Sequence, residues 1–393
     1  MFHVREIQPT DLPQVYEFTL SLLRHHPKQC TSYLDSNRLA DLFLEGYLRG
    51  LLLVKVEDAP VPTGCLDVGM DGKIQRPIGC MIFHPDFSPL HGGRGVYLDQ
   101  FYIEPPFRRI GLGRKMMIEL CHYVLASNGT YIKLTYQNGL GLDPVYENMG
   151  FINLSRQYPG LHLFESYGKL RLESFFERGR ELANQPIHTS HRPIHRLILT
   201  VPLSYPVSED ECGIPAWHPI STRLPPRPNF TSFGPPPARL VIVKEETPPN
   251  SHSSSTTPPD CLTSIGTKFC MFVEQCSVCS WLGPMVTFSD FVGDTTVLDS
   301  ELFTHRVRSW TELSDKISGA VWEVSVGPIP NTSEPEAQPC SFNHAPLASI
   351  LSSLNVPDDT SQEGWNIAFL DATGIRNLIE SRTRNDEQKR RLD

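Results

Sequence analysis

The sequence predicts a mixed α/β fold for residues 1–176. Strand-like runs rich in branched and aromatic residues are interspersed with segments whose apolar residues recur at helical spacing. A glycine-containing turn joins one of these strands to a helix near the middle of the region. Proline becomes frequent only afterwards. Together, these observations favour a sheet flanked by helices, followed by a region of different character.

The first helix is predicted directly after a short strand-like piece, "FHVREI", which Pro9 ends. Thr10 is a suitable N-cap, because its hydroxyl can accept a hydrogen bond from a free backbone N–H group of the first turn. The apolar residues that follow lie three or four positions apart, as one helix face requires: Leu12, Val15, Phe18 and Leu22.

A second helix is predicted in "SNRLADLFLEGYLRG", with Ser36 or Asn37 as its N-cap and Gly50 as its end. Its apolar residues also share one face, which indicates that the helix packs on a sheet. These residues are Leu39, Leu42, Phe43 and Tyr47.

The rest of this region is predicted to form strands and two more helices. The strand-like runs are "LLLVKVED", "PIGCMIF", "GVYLDQFYIE" and "TYIKLTY", with a loop over 59–76 after the first. A helix over Arg114–Ala126 precedes the last of these strands, and the short helix "DPVYENMG" follows it. Two strand-like pieces, around Ile152 and over 162–165, close the pattern. This order implies a mixed sheet.

The turn in the middle, "PPFRRIGLGRKMM" at 105–117, is a candidate anion site. Gly111 and Gly113 allow a sharp turn and a close approach of backbone N–H groups to a ligand. Arg114 begins a predicted helix, whose N-terminus carries a partial positive charge. Many plain strand-to-helix turns share this pattern, so the surrounding residues must decide between the two interpretations.

Composition excludes several classes of protein. A net charge of −9 and a pI near 5.9 disfavour a general nucleic-acid binder, which needs a basic face. No apolar run approaches the about 20 residues that span a bilayer. The N-terminus carries Arg5 and Glu6 where a signal peptide would be apolar. The 10 cysteines show no disulfide framework. We therefore expect an intracellular protein, cytoplasmic rather than nuclear, with reduced thiols and no membrane contact.

The C-terminal half has a different composition. Residues 177–262 are rich in proline and serine and are predicted to form a largely disordered linker. Residues 263–393 regain apolar residues and are predicted to form a small folded unit. A terminal helix should present Ile375, Leu378 and Ile379 on one face.

Three short motifs in this half have weak support. "CSVC", which ends at Cys279, has zinc-knuckle spacing, but no second close pair follows it, so we predict no metal site. "VKEE" at 243–246 has the form that the small ubiquitin-like modifier machinery recognises, in a segment expected to be exposed. "LPPRP" could adopt polyproline II and bind proline-recognising modules, or simply stiffen a linker.

The central motifs carry a family resemblance. Arg108, Gly111 and Gly113 form an R-x-x-G-x-G signature, with "VYLDQFYIE" before it and "YENMGF" about 35 residues after it. This sequence resembles the Gcn5-related N-acetyltransferase (GNAT) superfamily over residues 1–176, and most closely the diamine (spermidine/spermine and thialysine) acetyltransferases. The resemblance implies a mostly antiparallel sheet flanked by helices and a site for acetyl-CoA.

The resemblance also implies which residues bind the cosubstrate. Backbone N–H groups of the turn would meet the pyrophosphate, and arginines could add charge-assisted hydrogen bonds. The pantetheine arm would pair with the central strand, where a backbone N–H would stabilise the developing oxyanion. The predicted acetyl-CoA residues are Phe101, Tyr102, Ile103, Arg108, Arg109, Ile110, Gly111, Leu112, Gly113, Arg114 and Asn138.

The same resemblance assigns the chemistry. Tyr146 would protonate the thiolate leaving group, or alternatively would only pack its ring over the cosubstrate. Asp99 would hold the acceptor ammonium and take its proton, with Gln100 and Glu104 also lining the acceptor site. The diamine enzymes carry a second acid where Gln100 stands, and their loop between Asn138 and Tyr146 is one residue shorter.

The sequence therefore favours an N-acetyltransferase that acts on a small primary amine, such as a diamine, a polyamine or a thialysine-like amino acid. Direct attack in a ternary complex needs no metal and no acyl-enzyme. The alternative is a non-catalytic or protein-acetylating GNAT-fold scaffold that recruits protein partners through its acidic, proline-rich C-terminal half. The resemblance also implies a homodimer.

Overall fold

The computed structural model describes residues 1–24, 34–58, 73–91, 93–157, 161–167, 169–184, 195–202, 238–246, 268–280, 283–313, 317, 319–325 and 345–381. In chain order its strands are β1 Phe2–Glu6, β2 Arg49–Asp58, β3 Lys73–Ser88, β4 Gly93–Ile103, β5 Tyr131–Gln137, β6 Ile152–Asn153, β7 Leu161–Tyr167, β8 His195–Pro202, β9 Arg239–Glu246, β10 Phe269–Cys279, β11 Gly283–Gly293, β12 Gly319–Ser325 and β13 Trp365–Leu370.

Ten helices accompany the strands in the described part of the chain. They are α1 Leu12–Leu23, α2 Ser36–Leu44, α3 Leu112–Ala126, α4 Asp143–Glu147, α5 Leu154–Gln157, α6 Lys169–Asn184, α7 Ser300–Leu313, α8 Ala345–Ser353, α9 Asp359–Glu363 and α10 over 372–381. No described helix combines the length and the apolar composition that a membrane crossing requires.

The helix starts differ in detail from the sequence-based expectation. Thr10 lies in a short 3-10 turn, and Asp11 stands at the N-cap position of α1. The N-cap of α2 is Asp35, whose carboxylate accepts from the Arg38 N–H at 2.8 Å. A carboxylate one residue earlier performs the capping that was assigned to Ser36 or Asn37. Gly50 lies inside β2 rather than at a helix end.

The strands form two sheets. The first has the order β1-β2-β3-β4-β5-β13-β6, and the second has the order β8-β9-β10-β11-β12-β7. In both sheets one neighbouring pair is parallel, β4 with β5 and β11 with β12, and all other pairs are antiparallel. The predicted mixed, mostly antiparallel α/β fold is thus confirmed.

The second sheet repeats the plan of the first at residue level. β4 and β11 are both 11 residues long, and each leads through one helix to a parallel strand of 7 residues. Gly95–Leu98 pair with Tyr131–Leu134 in the first sheet. Met285–Phe288 pair with Gly319–Trp322 in the second, at the same positions counted from the strand starts. The two halves of the chain are therefore similar in topology and in register.

The halves exchange one strand each. The end of β5, Gln137, pairs with Trp365 of β13, and the end of β12, Ser325, pairs with Leu161 of β7. Thus the strand from the N-terminal half completes the second sheet, and the strand from the C-terminal half completes the first. Each sheet depends on both halves of the chain.

This exchange differs from the domain boundaries expected from the sequence. β7, expected within 1–176, joins the second sheet, and β13, expected within 263–393, joins the first. The proposed linker over 177–262 contains the end of α6 and the strands β8 and β9. The "VKEE" motif lies in β9, where Val243 is fully buried, so that motif is not an exposed linker element. Residues 203–237, with "LPPRP", lie outside the described residues.

Helices cover both faces of the first sheet. α3 buries its apolar side against one face, and α1 and α2 cover the other. α10 packs on the same core as α3 through Ile375, Leu378 and Ile379, the face predicted from the sequence. In the second half α7 packs on its sheet through a core of large rings, including Phe272, Phe288, Phe303, Trp310 and Trp322.

Buried polar contacts join the two sheets. Lys133 on β5 is 3% exposed and lies 3.0 Å from carboxylate oxygens of both Asp86 on β3 and Glu323 on β12. Gln275 on β10 donates to the Asp86 carboxylate at 2.8 Å. Removing one partner would leave a buried charge uncompensated, so these contacts fix how the sheets meet.

Candidate functional site

A gap opens in the first sheet beyond Leu98. The described β4 residues pair with β5 only over Gly95–Leu98, although β4 continues to Ile103. A bulge at Asp99 shifts the register against β3 at this point, since Gln100 pairs with Ile82 while Leu98 pairs with Phe83. Bulges bend a strand, and this bend separates β4 from β5.

Two backbone N–H groups of β4 point into this gap. Glu104 N–H donates to Ile78 O on β3 at 2.9 Å, and strand N–H groups alternate between the two edges. The N–H groups of Phe101 and Ile103 therefore point toward the gap, whereas Tyr102 points its backbone toward β3. Of the three strand residues predicted to bind the pantetheine arm, Phe101 and Ile103 have backbone groups at the open edge.

The turn after β4 exposes the first amides of α3. Arg109 has φ 63° and Gly111 has φ 84°, so two left-handed residues redirect the chain into the helix. Gly111 is the N-cap, and no side chain caps α3. A Cβ at Gly113 would lie 3.3 Å from the Phe101 ring, so the turn and β4 approach closely there. The result is a partially positive helix end beside the gap.

The predicted arginines take three different positions. Arg108 donates through Nε to Ile103 O at 2.7 Å and stacks over the Tyr102 ring. Arg114 donates to Asn148 O at 3.0 Å and to Ser381 Oγ at 2.6 Å. Arg109 is exposed and makes no hydrogen bond or ion pair with a described residue. Ile110 beside it is 59% exposed, and Leu112 is buried.

The C-terminal half holds Asn138 in place. Its N–H donates to Gly364 O at 2.8 Å, and Asn366 Nδ2 donates to its side-chain oxygen. Both partners belong to the end of α9 and to β13, which lies beside β5. Sequence reasoning missed Gly364, Asn366 and Ser381, because their contacts depend on how the C-terminal half packs on the first sheet.

Tyr146 lies on α4, at the far end of β5. Its side chain is 8% exposed and its ring packs on those of Tyr136 and Phe151 at centroid distances of 5.2 and 5.6 Å. Burial alone raises its pKa well above the usual value. The hydroxyl therefore stays protonated at neutral pH, as a general acid must.

The acceptor residues lie in unequal surroundings. Asp99 Oδ2 accepts two hydrogen bonds from Ser280, from its N–H at 2.8 Å and from its hydroxyl. Gln100 is 1% exposed and accepts from the Thr19 hydroxyl at 2.9 Å. Glu104 lies at the surface and pairs with Arg76 at 2.9 Å. Asp99 is therefore the predicted acceptor carboxylate that is not neutralised by a cation. Desolvation raises its pKa to about 6, against the opposing effect of Ser280.

The cysteines do not form a second chemical site in the described part of the chain. Burial raises the pKa of Cys80, Cys121 and Cys276 to about 12, so these thiols are poor nucleophiles. Cys276 and Cys279 are three positions apart on one strand and point to opposite faces. The described residues contain no cluster of three or more side chains suited to a metal ion.

Comparison with known proteins agrees with this geometry. Residues 28–151 match the acetyltransferase (GNAT) family. The matched segment contains the gap, the turn and the predicted Tyr146, and the second sheet lies outside it. The GNAT fold predicted from the signature is therefore present, while the diamine acetyltransferase subfamily has no support from this match. No curated protein matches the chain.

Solved structures with a similar chain trace include a tandem GNAT protein from the clavulanic acid biosynthesis pathway, at 11% identity and a TM-score of 0.39 over 95% of this chain and 99% of that one. A predicted acetyltransferase with acetyl-CoA from Clostridium acetobutylicum is 17% identical, with a TM-score of 0.30 over 39% of this chain and 91% of that one. An acetyltransferase from Trypanosoma brucei is 18% identical, with a TM-score of 0.28 over 39% of this chain and 93% of that one.

Proposed function

We propose that the GNAT-like domain transfers the acetyl group of acetyl-CoA to a primary amine of a small molecule. The observation that carries this proposal is the uncapped N-terminus of α3 beside the open edge of β4. The amides that follow Gly111 offer short-range donors to a pyrophosphate without needing an arginine side chain. The N–H groups of Phe101 and Ile103 offer the pairing edge for an extended pantetheine arm.

The proposed reaction is a direct displacement. Asp99 accepts a proton from the acceptor ammonium, directly or through water, and the resulting amine attacks the thioester carbonyl carbon. A carbon–nitrogen bond forms, the carbon–sulfur bond breaks, and Tyr146 gives its proton to the leaving sulfur. A backbone N–H of β4 stabilises the transient oxyanion. Holding both reactants side by side supplies much of the rate acceleration.

The proposed acceptors are diamines, polyamines or thialysine-like amino acids. Because Glu104 is paired with Arg76 and Gln100 is buried, Asp99 is the predicted site residue that offers an unpaired negative charge. This arrangement favours an acceptor that needs recognition of one ammonium group over a long polycation.

The test is coenzyme A release by the full-length protein with acetyl-CoA and a panel of spermidine, putrescine, thialysine, lysine and a histone-tail peptide. Tyr146→Phe should lower kcat about 100-fold with a small effect on acetyl-CoA binding. Tyr136→Phe is the matched control, since its hydroxyl donates to Asp143 at 2.7 Å and is assigned no chemical role. Equal losses in both variants would remove Tyr146 from the mechanism.

The alternative is a scaffold, or a protein acetyltransferase, that retains the cosubstrate site. Gln100, where the diamine enzymes carry an acid, and the loop before Tyr146, one residue longer than theirs, favour the scaffold. Acetyl-CoA binding without turnover on any small amine would support this alternative. The expected homodimer and the expected intracellular location stay predictions, which sedimentation and fractionation can check.

A further inference from the structure

A bulge in each half of the molecule contacts the other half, and the two contacts are reciprocal. Asp99 lies at the bulge of β4 and contacts Ser280, the residue after β10. Asp290 lies at the irregularity of β11 and accepts from the hydroxyl of Ser88, the last residue of β3, at 2.9 Å. In an isologous interface each surface meets its own copy in this way. The two halves of this chain therefore contact each other reciprocally at these two positions.

We propose that Ser280, which belongs to the second half, is a positioning residue for Asp99 in the acceptor site of the first half. This inference rests on the proposed function, in which Asp99 receives the acceptor proton. Ser280 is 1% exposed, and both of its donors converge on Oδ2 of Asp99, while no described residue donates to Oδ1. The carboxylate is thereby fixed at one oxygen.

Gln100 completes this arrangement. Its amide nitrogen donates to the Ser280 hydroxyl oxygen, which directs the hydroxyl hydrogen toward Asp99. Its amide oxygen accepts from Thr19 on α1. A carboxylate at position 100 could not donate to Ser280 and would add a second negative charge beside Asp99. The glutamine that departs from the diamine enzymes' pair of acids therefore has a positive role in this chain.

The contact also controls the charge of Asp99. Burial raises its pKa to about 6, and both hydrogen bonds from Ser280 act in the opposite direction. No charged side chain of the described residues contributes to this shift. Several titratable side chains lie on the elements that surround this part of β4: Cys80 and His84 on β3, Tyr16 and Glu17 on α1, and Cys276 and Cys279 on β10. None of them contributes to the shift in the pKa of Asp99.

The experiment compares Ser280→Ala with Ser88→Ala in the full chain. Ser280→Ala removes one hydrogen bond to the charged form, so the acidic limb of kcat/KM should move up by about one pH unit. At pH values below that limb, kcat/KM of Ser280→Ala should be about tenfold lower than that of the wild-type protein. Ser88→Ala removes the equivalent hydrogen bond from Asp290 and should leave the limb unchanged. Ser280→Thr keeps the hydroxyl and should restore it.

An unmoved limb in Ser280→Ala, or an equal shift in Ser88→Ala, would overturn the proposal. Absence of turnover in the wild-type protein would instead contradict the proposed function. In that case carbon-13 titration of labelled aspartates, assigned with Asp99→Asn, still measures the pKa of Asp99. A higher pKa in Ser280→Ala but not in Ser88→Ala supports the positioning role, and equal values overturn it.

Discussion

The strand-to-helix turn of the first half leaves a helix N-terminus open, whereas the same turn in the second half is closed by its own carboxylates. No side chain caps α3 at Gly111. In the second half Asp299 accepts from the Leu302 N–H at 2.8 Å, and Asp294 accepts from the Thr296 N–H at 2.9 Å. These carboxylates accept from one N–H group of α7 and one of the turn before it, and their negative charge would repel a phosphate there.

The strands that precede these two turns also differ between the halves, in the side chains at the point where their pairing ends. The last paired residues of β4 and β5 are Leu98 and Leu134. Their counterparts in β11 and β12 are Phe288 and Trp322, whose rings stack at 5.4 Å within a cluster of buried aromatic residues. One backbone plan thus supports a ligand-accepting turn in one half and a packed, self-capped turn in the other.

The largest contrast should come from the glycines of the two turns. A Cβ at Gly293 would lie 2.3 Å from Phe269 O, and φ there is +109°. Gly293→Ala should therefore lower the free energy of unfolding by about 3 kcal/mol, measured by denaturant titration. Gly111→Ala meets open space and should cost about 1 kcal/mol, while acetyl-CoA binding weakens. An equal loss of stability in both variants would contradict the proposed difference between the two turns.

The next largest effect should come from Asp99, whose buried carboxylate lowers the free energy of unfolding when it is ionised. Its raised pKa means that the folded state prefers the protonated form, so ionisation destabilises the fold as pH rises from 3.8 through about 6. Asp99→Asn should raise the free energy of unfolding by about 1 to 2 kcal/mol at pH 7.5 and abolish turnover. The gain should vanish below pH 4. A less stable variant at pH 7.5 would contradict this account.

The cap of α7 should matter for stability alone. Asp299→Ala removes the acceptor for the Leu302 N–H and should lower the free energy of unfolding by about 1 kcal/mol. Calorimetric titration should still give one acetyl-CoA per chain, with unchanged affinity. Because Asp294 and the stacked rings of Phe288 and Trp322 remain in this variant, a second binding event would contradict the prediction.

The smallest effect should come from the strand that the second half lends to the first. Asn366→Ala removes a hydrogen bond to the Asn138 side chain and should weaken acetyl-CoA binding by about threefold, or roughly 0.7 kcal/mol. Ser361→Ala, which removes a hydroxyl contact to the N-cap Asp358 at the start of α9, is a nearby control. Equal affinities would separate Asn138 from cosubstrate binding.

Local patterns predicted the elements and the turn well, because periodicity and glycine placement act over a few residues. The helix over Arg114–Ala126 and the strand "TYIKLTY" lie within two residues of α3 and β5. A pattern of alternating residues identifies a strand but not its partner, so the destinations of β7 and β13 were not predictable. For the same reason Ser280 and Asn366 were missed, since they meet their partners across 181 and 228 positions of sequence.

The exchanged strands also determine when the first sheet can fold during synthesis. Ile367 N–H on β13 donates to Ser155 Oγ on α5, so residues 212 positions apart in the sequence are in direct contact. During synthesis β5 and β6 leave the ribosome long before the strand that separates them. The first sheet therefore closes only after residues 365–370 have been synthesised, and loop closure over such a distance slows folding. A nascent chain should expose the edge of β5 until β13 has been synthesised, which makes it a natural client for chaperones.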